Sequence, residues 1–487
     1  MNFLSLLLKQ MAKSRQKEIQ VKSPDRMKKH GEVLTASKEV EAMLELVKDM
    51  LDTPDKTFLE PACGDGNFLT AILKRKLTNQ NNKEETILSA LKSIYGVDLL
   101  EDNVLTARKR MLEVVLSYCP PKPSENFIKE IKNILENNIV CKDFLKDNIF
   151  IGRKFDVIIG NPPYQKIDGG GTGDSAKPVY HIFIRKAKNL KPGYIVMIVP
   201  SRWMKGGKGL SEFRREMIND RRLKIIHDFE NGQICFPKLH IDGGVCYFLW
   251  SKDYNGEAEY HHYALDGTNS VTKRFLKNEF SDTVIRDYRQ ISIIEKAAKP
   301  NEDKFSSIVY SRNPYGFCAD LFNAPERYPN IRVCEKTDGN YKIYGIKGKK
   351  GGAKRVIGYV QPSEVTKNKE EAVNYKLFFS KAYTTTSTVP PEIIIGKPKE
   401  VCTETFLQIG NFRTETETKS CLSYIKTRFF RALLFFNRHS LNISKKSFEL
   451  IPIQDFSEEW TDEKLYTKYG LKQNEIDYIN ALIKPMK

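Results

Sequence analysis

Phe155-Asp-Val-Ile-Ile-Gly-Asn-Pro-Pro-Tyr164 is a short apolar run that stops in Asn161-Pro162-Pro163-Tyr164. Its apolar centre, bounded by polar and turn residues, has the composition of a buried strand. The two prolines end it. Each fixes its own backbone and lacks an N–H, so carbonyls at the strand end stay exposed instead of being paired. An Asn amide oxygen and the Pro162 carbonyl can together accept both hydrogens of one exocyclic amine. A tyrosine beside them can stack on the ring that carries that amine. Two accepted bonds draw the nitrogen lone pair out of conjugation and prepare it to attack an electrophilic methyl. An ordinary turn would not need this combination directly after a buried strand.

Working outward, residues 57–60, 93–97 and 138–141 read as strands before this one, with helices over 68–77 and 103–116. After it come strands over 194–199, 223–229 and 244–250, with helices over 180–190 and 210–218. Apolar residues at helical spacing over 40–51 place an amphipathic helix ahead of them. Strands alternating with helices predict an α/β domain with a mostly parallel sheet of about seven strands. Ligands then sit at the carboxyl edge of that sheet.

That edge carries three further candidates. Phe58-Leu-Glu-Pro-Ala-Cys-Gly-Asp-Gly-Asn-Phe68 joins a strand to a helix, and Gly64 and Gly66 allow a sharp turn and close approach to a ligand. Asp98, in Gly96-Val-Asp98, ends the next strand, where a carboxylate can accept from ribose hydroxyls. The polar stretch 78–85 reads as an insertion that lengthens the gap between them. Asp143-Phe144 pairs an acceptor with an aromatic that can stack on adenine. Glycine loop and Asp98 together point to a nucleoside-containing cofactor.

The alternation fades after about residue 252. Residues 256–300 read as a connecting segment and 301–487 as a second domain of mixed α+β character with a helical tail over 463–483. Residues 343–355 form a Gly/Lys loop in which Lys347, Lys349, Lys350, Lys354 and Arg355 are candidate phosphate contacts. It lacks the Gly-Lys-Ser/Thr ending of an ATP-binding loop. Gly169-Gly-Gly-Thr-Gly173, just past Tyr164, is a candidate lid.

In 487 residues, 79 Lys and Arg face 61 Asp and Glu, a net +18 that points to a polyanionic partner. Nine scattered Cys, with no C-x-x-C and no zinc spacing, predict no metal site and a reducing, cytoplasmic setting. No apolar run approaches the ~20 residues of a membrane span, so no membrane partner is expected. Residues 1–24 form a basic arm, with Met11 a second candidate start.

In this order the motifs resemble the gamma-class DNA adenine-N6 methyltransferases of restriction–modification type. Lys29-His-Gly-Glu-Val-Leu-Thr-Ala36 is similar to the family's first motif, with Ala36 where Pro is common. The resemblance implies a Rossmann-like methyltransferase domain over 25–255, S-adenosylmethionine as cofactor and a DNA target-recognition domain over 301–487. It places Thr35, Glu60, Ala62, Gly64 and Gly66 at the methionine end of the cofactor. Asp98 would hold its ribose, and Leu99, Asp143 and Phe144 its adenine. Asn161 and Pro162 would hold the target amine and Tyr164 would stack on the target base. One aromatic of 245–250, Tyr247, Phe248 or Trp250, would form a second wall. The implied partners are double-stranded DNA and, as a candidate, a separately encoded restriction endonuclease. With residues 1–24 too few for a nuclease, the chain is expected to modify DNA without cutting it. Two rivals share the motif or the fold: a protein-glutamine N5 methyltransferase and a non-catalytic DNA-recognition subunit. Charge and the long C-terminal region favour DNA over the first, and the intact Asn161–Tyr164 motif favours an enzyme over the second.

Overall fold

The structure is a computed structural model. It describes residues 20–486, apart from 24, 28–30, 79, 81–82, 122, 168–175, 207–208, 281, 300, 311, 337–338, 349–351, 383–386, 391–392 and 439–442. The chain divides into two compact units, residues 1–277 and 278–487.

Nine strands build the sheet of the first unit. They are β1 (Phe58–Glu60), β2 (Ile94–Asp98), β3 (Ile139–Cys141), β4 (Val157–Gly160), β5 (Tyr194–Pro200), β6 (Leu223–Phe229), β7 (Val245–Ser251), β8 (Ala258–Tyr263) and β9 (Asn269–Arg274). Their order is β3-β2-β1-β4-β5-β7-β6-β8-β9. Strands β1 to β5 run parallel. Strand β7 enters antiparallel between β5 and β6. Both faces are covered, as a parallel sheet requires. Val157 and Ile159 of β4 and Val196 and Ile198 of β5 join one core with Val40, Leu69, Met111 and Ile131. The alternate residues Ile158, Ile195 and Met197 are equally buried on the other face.

The expected count of seven is corrected to nine, and the expected connecting segment begins inside the sheet. β8 is buried only at alternate positions and pairs parallel with β6. β9 is an exposed polar edge strand. Neither carries an apolar run, because an edge strand can face water on one side and gains protection from charge. The gap before Asp98 is no insertion either. It holds the helices Asn67–Leu77 and Glu84–Lys92.

Just ahead of β6, Asp220 accepts from Lys188 Nζ at 2.8 Å, Arg222 Nε at 2.7 Å and Trp250 Nε1 at 2.9 Å. Burial alone would raise its pKa, but these three donors outweigh it and hold the carboxyl well below the usual range. A depressed carboxyl adds stability above its unfolded pKa and loses it as pH falls. Asp220→Ala leaves the Lys188 ammonium buried and unpaired, at an expected cost of about 3 kcal/mol near pH 7. Thermal unfolding against pH checks this. The gap between wild type and variant should close as pH falls toward the acid range.

In the second unit, β10 (Tyr341–Lys347), β11 (Lys354–Val360), β12 (Tyr375–Ser380), β13 (Ile394–Gly396), β14 (Glu400–Cys402) and β15 (Phe406–Phe412) form two three-stranded sheets. These are β11-β10-β14 and β13-β12-β15. The helices Glu415–Lys426 and Arg428–Phe436 pack with the second of these in a core that includes Phe305, Leu377, Tyr424 and Phe430. The expected Gly/Lys loop is instead the tip of an antiparallel hairpin, with Lys347 opposite Lys354. Glycines and lysines hid these strands, of which only Ile343 to Gly345 is a continuous buried run in the first. The expected tail helix is two helices, Asp462–Lys468 and Gln473–Leu482, split where Gly470 turns at φ +60°.

Each unit also buries a lysine that gathers acceptors. Lys76 Nζ donates to the carbonyls of Pro54 and Lys56 and to Ser93 Oγ. Lys376 Nζ donates to the carbonyls of Ala372, Lys397 and Glu400. Burial lowers their pKa values to about 7 and about 8.

Candidate active site

The carboxyl ends of β1, β2 and β4 lie side by side, and the loops that leave them enclose a cavity. Gly64 sits at φ +50° and Gly66 at φ +88°. A Cβ on Gly64 would fall 2.8 Å from Leu34 Cδ2, and one on Gly66 3.1 Å from Ala107 Cα. Glycine is therefore required twice, once for conformation and again for space. The loop leans on β2. Cys63 N–H donates to the Val97 carbonyl at 2.9 Å, and Gly64 N–H to Asp98 Oδ2 at 2.9 Å. Asp98 Oδ1 accepts from Leu100 N–H at 2.9 Å and Asn103 Nδ2 at 3.1 Å. Burial raises the Asp98 pKa against the pull of these bonds.

Ala62, Gly64, Asp98 and Leu99 line the cavity. Asp143, Phe144, Asn161, Val33 and Glu32 line it as well. Leu99 is 52% exposed, an apolar side chain left open on a cavity wall. Phe144 is buried and fixed by a stack on Phe183, centroids 5.6 Å apart. Asp143 Oδ1 accepts from Leu145 N–H at 3.0 Å.

Asn161 follows the last residue of β4. Its Nδ2 donates to the Val33 carbonyl at 2.9 Å, while its Oδ1 is buried without a partner. Pro162 is buried beside it. The Tyr164 hydroxyl is also buried without a partner, and burial pushes its pKa far up. The Tyr164 ring stands edge-on to Phe236, centroids 6.2 Å apart. Glu60 Oε2 and Thr35 Oγ1 are two more buried atoms without partners. Burial, then the nearby Asp98 and Asp65 charges, lifts the Glu60 pKa well above the usual range. The Thr35 carbonyl accepts from Asn67 Nδ2 at 2.8 Å.

Thr35, Glu60, Gly66, Pro162 and Tyr164 are not among the residues that line this cavity. Tyr247 and Phe248 point to opposite faces of β7 and are 6% and 1% exposed. Tyr247 stacks on His227 at 4.6 Å. The aromatic that meets Tyr164 is Phe236, which sequence reasoning missed. Its signal was Cys-Phe-Pro237 in the loop ahead of β7. Lys347, Lys354 and Arg355 are exposed in the second unit. Lys349, Lys350 and the Gly169–Gly173 loop lie outside the described residues. No helix among the described residues is long and apolar enough to cross a membrane.

The model of the Eco57I restriction-modification methylase family matches residues 92–236. A Mycoplasma pneumoniae protein, described as an uncharacterized adenine-specific methylase, is 40% identical over 123 residues, 25% of this chain and 29% of that protein. Type II methyltransferase M.VspI of a Vibrio species is 32% identical over 115 residues, 24% of this chain and 21% of that protein. Among solved structures, the DrdV–DNA complex aligns over 80% of this chain and 50% of that chain, at 12% identity and a TM-score of 0.47. The chain spans between about a fifth and about half of the curated relatives it matches. The family match covers the strands on either side of Asn161.

Proposed function

We propose that the chain methylates the N6 amine of an adenine flipped out of double-stranded DNA, with S-adenosylmethionine as donor. The cellular role is protection of host DNA in a restriction–modification pair, in the cytoplasm of a prokaryotic or phage-infected cell. A separately encoded endonuclease would be its counterpart. One observation carries this reading. Asn161 Oδ1 is a buried acceptor with no partner, at a strand end next to a proline carbonyl. A buried acceptor left empty costs about 1–3 kcal/mol unless a ligand fills it. An amine is the group that both acceptors would share.

The residues present fit the cofactor. When bound, S-adenosylmethionine supplies a methyl on a sulfonium that leaves as a neutral thioether. Asp98 keeps one acceptor site, on Oδ2, beyond its three bonds and lines the cavity, which suits a ribose hydroxyl. Leu99 and Phe144 offer apolar walls to an adenine ring. Glu60 and Thr35 have the unpartnered oxygens that an ammonium seeks. No general base is required, because the Asn161 and Pro162 oxygens align the amine and stabilise charge as it develops. Tyr164 and Phe236 would wall the flipped base. Flipping costs a few kcal/mol, offset by stacking and phosphate contacts.

Those phosphate contacts are assigned to Lys347, Lys354 and Arg355 of the hairpin in the second unit, with Lys349 and Lys350 candidates from their place in the sequence alone. Lys354→Ala combined with Arg355→Ala should weaken binding of any DNA duplex alike. The slope of log affinity against log salt should become shallower by about two. Fluorescence anisotropy over a salt series measures both.

The direct test incubates the purified chain with tritiated S-adenosylmethionine and unmethylated genomic DNA. Label recovered as N6-methyladenine supports the reading. Label on a protein glutamine instead would transfer the site to the rival amide substrate.

A further inference from the structure

The described residues between 20 and 36 touch both sides of the site. On the target side, the Val33 carbonyl accepts from Asn161 Nδ2 at 2.9 Å. Gly31 sits at φ +66°, and a Cβ there would lie 2.7 Å from the Gln165 carbonyl oxygen and 3.2 Å from Pro163 Cβ. Gln20 Nε2 donates to the carbonyl of Cys235, the neighbour of Phe236, at 3.1 Å. On the cofactor side, Glu32 Oε1 accepts from Asn103 Nδ2 at 2.8 Å, and the same nitrogen donates to Asp98 Oδ1.

Arg26 closes this arrangement. Its Nε donates to Glu32 Oε2 at 2.6 Å and its Nη2 to Glu32 Oε1 at 2.9 Å. Its Nη1 donates to Asp102 Oδ2 at 2.5 Å, and Nη2 also reaches Asn103 Oδ1 at 3.0 Å. The planar fork of an arginine suits two carboxylates at once, and a lysine cannot copy it.

The Val33 carbonyl has a particular effect. An Asn amide has a donor end and an acceptor end, and a carbonyl can only accept. It holds the NH2 group and turns Oδ1 away, toward the place an amine would occupy. Glu32 is the residue next to Val33, so whatever fixes Glu32 fixes the Val33 carbonyl.

We infer that this segment is a strap coupling cofactor occupancy to the orientation of Asn161, with Arg26 as the positioning residue that clamps it. The inference rests on the proposed function. A ligand in the cavity, which Glu32, Val33 and Asp98 all line, tightens the strap. DNA then meets an Asn161 already turned for the amine. The two ligands therefore bind with positive cooperativity, and linkage makes the effect reciprocal.

The test uses the full chain, S-adenosylhomocysteine and a duplex carrying the site that the wild-type chain methylates. Calorimetry gives the affinity for S-adenosylhomocysteine with and without duplex. The wild type should bind it about tenfold more tightly on the duplex, within the usual range of coupling. Arg26→Met should reduce that factor to about twofold or less, with duplex affinity in the absence of S-adenosylhomocysteine little changed. Arg26→Lys should recover part of it. A merely structural role for Arg26 would lower the unfolding temperature and leave the coupling factor intact. Should Arg26→Met fail to fold, Glu32→Gln carries the same expectation. Full coupling in a folded Arg26→Met or Glu32→Gln chain overturns the inference, as does a wild type that binds both ligands independently. A wild type that neither binds S-adenosylhomocysteine nor methylates DNA defeats the proposed function first.

Discussion

Asn161→Ala is expected to lower methyl transfer at least about a thousandfold, at the upper end of what losing one preorganised polar group costs. Affinity for S-adenosylmethionine should stay within about threefold, because the side chain supplies only one patch of the cavity wall. The split between the two readouts follows from geometry. Nδ2 is committed to the Val33 carbonyl, so Oδ1 is the only part free to meet the amine. Truncation removes the acceptor and leaves the cofactor walls, Asp98, Leu99 and Phe144, in place. Single-turnover transfer and equilibrium cofactor binding separate the outcomes. Asn161→Asp should fare little better, since a carboxylate facing the Val33 carbonyl sets two acceptors against each other. Near-wild-type turnover by Asn161→Ala would remove Asn161 from the chemistry.

Asp98→Ala should show the reverse pattern, a cofactor affinity lower by about a hundredfold or more. One hydrogen bond from a ribose hydroxyl to the carboxylate, at roughly 1.5–3 kcal/mol, accounts for most of that magnitude. The loss is compounded because Asp98 also anchors Gly64 N–H, Leu100 N–H and Asn103. Duplex affinity without cofactor should change by less than about twofold, as Asp98 and its three partners belong to the cofactor side of the site. Asp98→Asn should fall between, with an acceptor kept on one side and an N–H set against another on the other. Isothermal titration of cofactor and anisotropy of labelled duplex report the two effects independently.

The central sheet was legible because parallel strands are buried on both faces and show as apolar runs. β4 and β5 are the clearest cases, with every residue from Val157 to Gly160 and from Ile195 to Pro200 buried. β8 and β9 escaped because Glu259, His261 and Lys273 share the more open face at this side of the sheet. The helix Glu125–Asn138 was present in the spacing of Phe127, Ile131, Ile134 and Leu135, yet its charged and Asn-rich face hid it. Of the site, the glycine loop, Asp98 and Asn161 are visible because their chemistry resides in residue type. The Val33 carbonyl is not, since every residue has one and only the fold selects which meets Asn161. Phe236 is hidden for a related reason. It comes 72 positions after Tyr164, and contact across such a gap depends on how β6 and β7 return to β4.

The two buried lysines change how much of the formal charge a polyanion meets. Lys76 and Lys376 spend their ammonium donors on carbonyls and a hydroxyl inside their own units. They hold loops shut and contribute little to the field outside. With pKa values of about 7 and about 8 they carry a substantial neutral, nucleophilic fraction at physiological pH. Even so, an acylating reagent cannot reach them while the packing holds. Among many surface amines that react at once, these two become available only as their own units open. Each is thus an internal clock for the unfolding of one half of the chain.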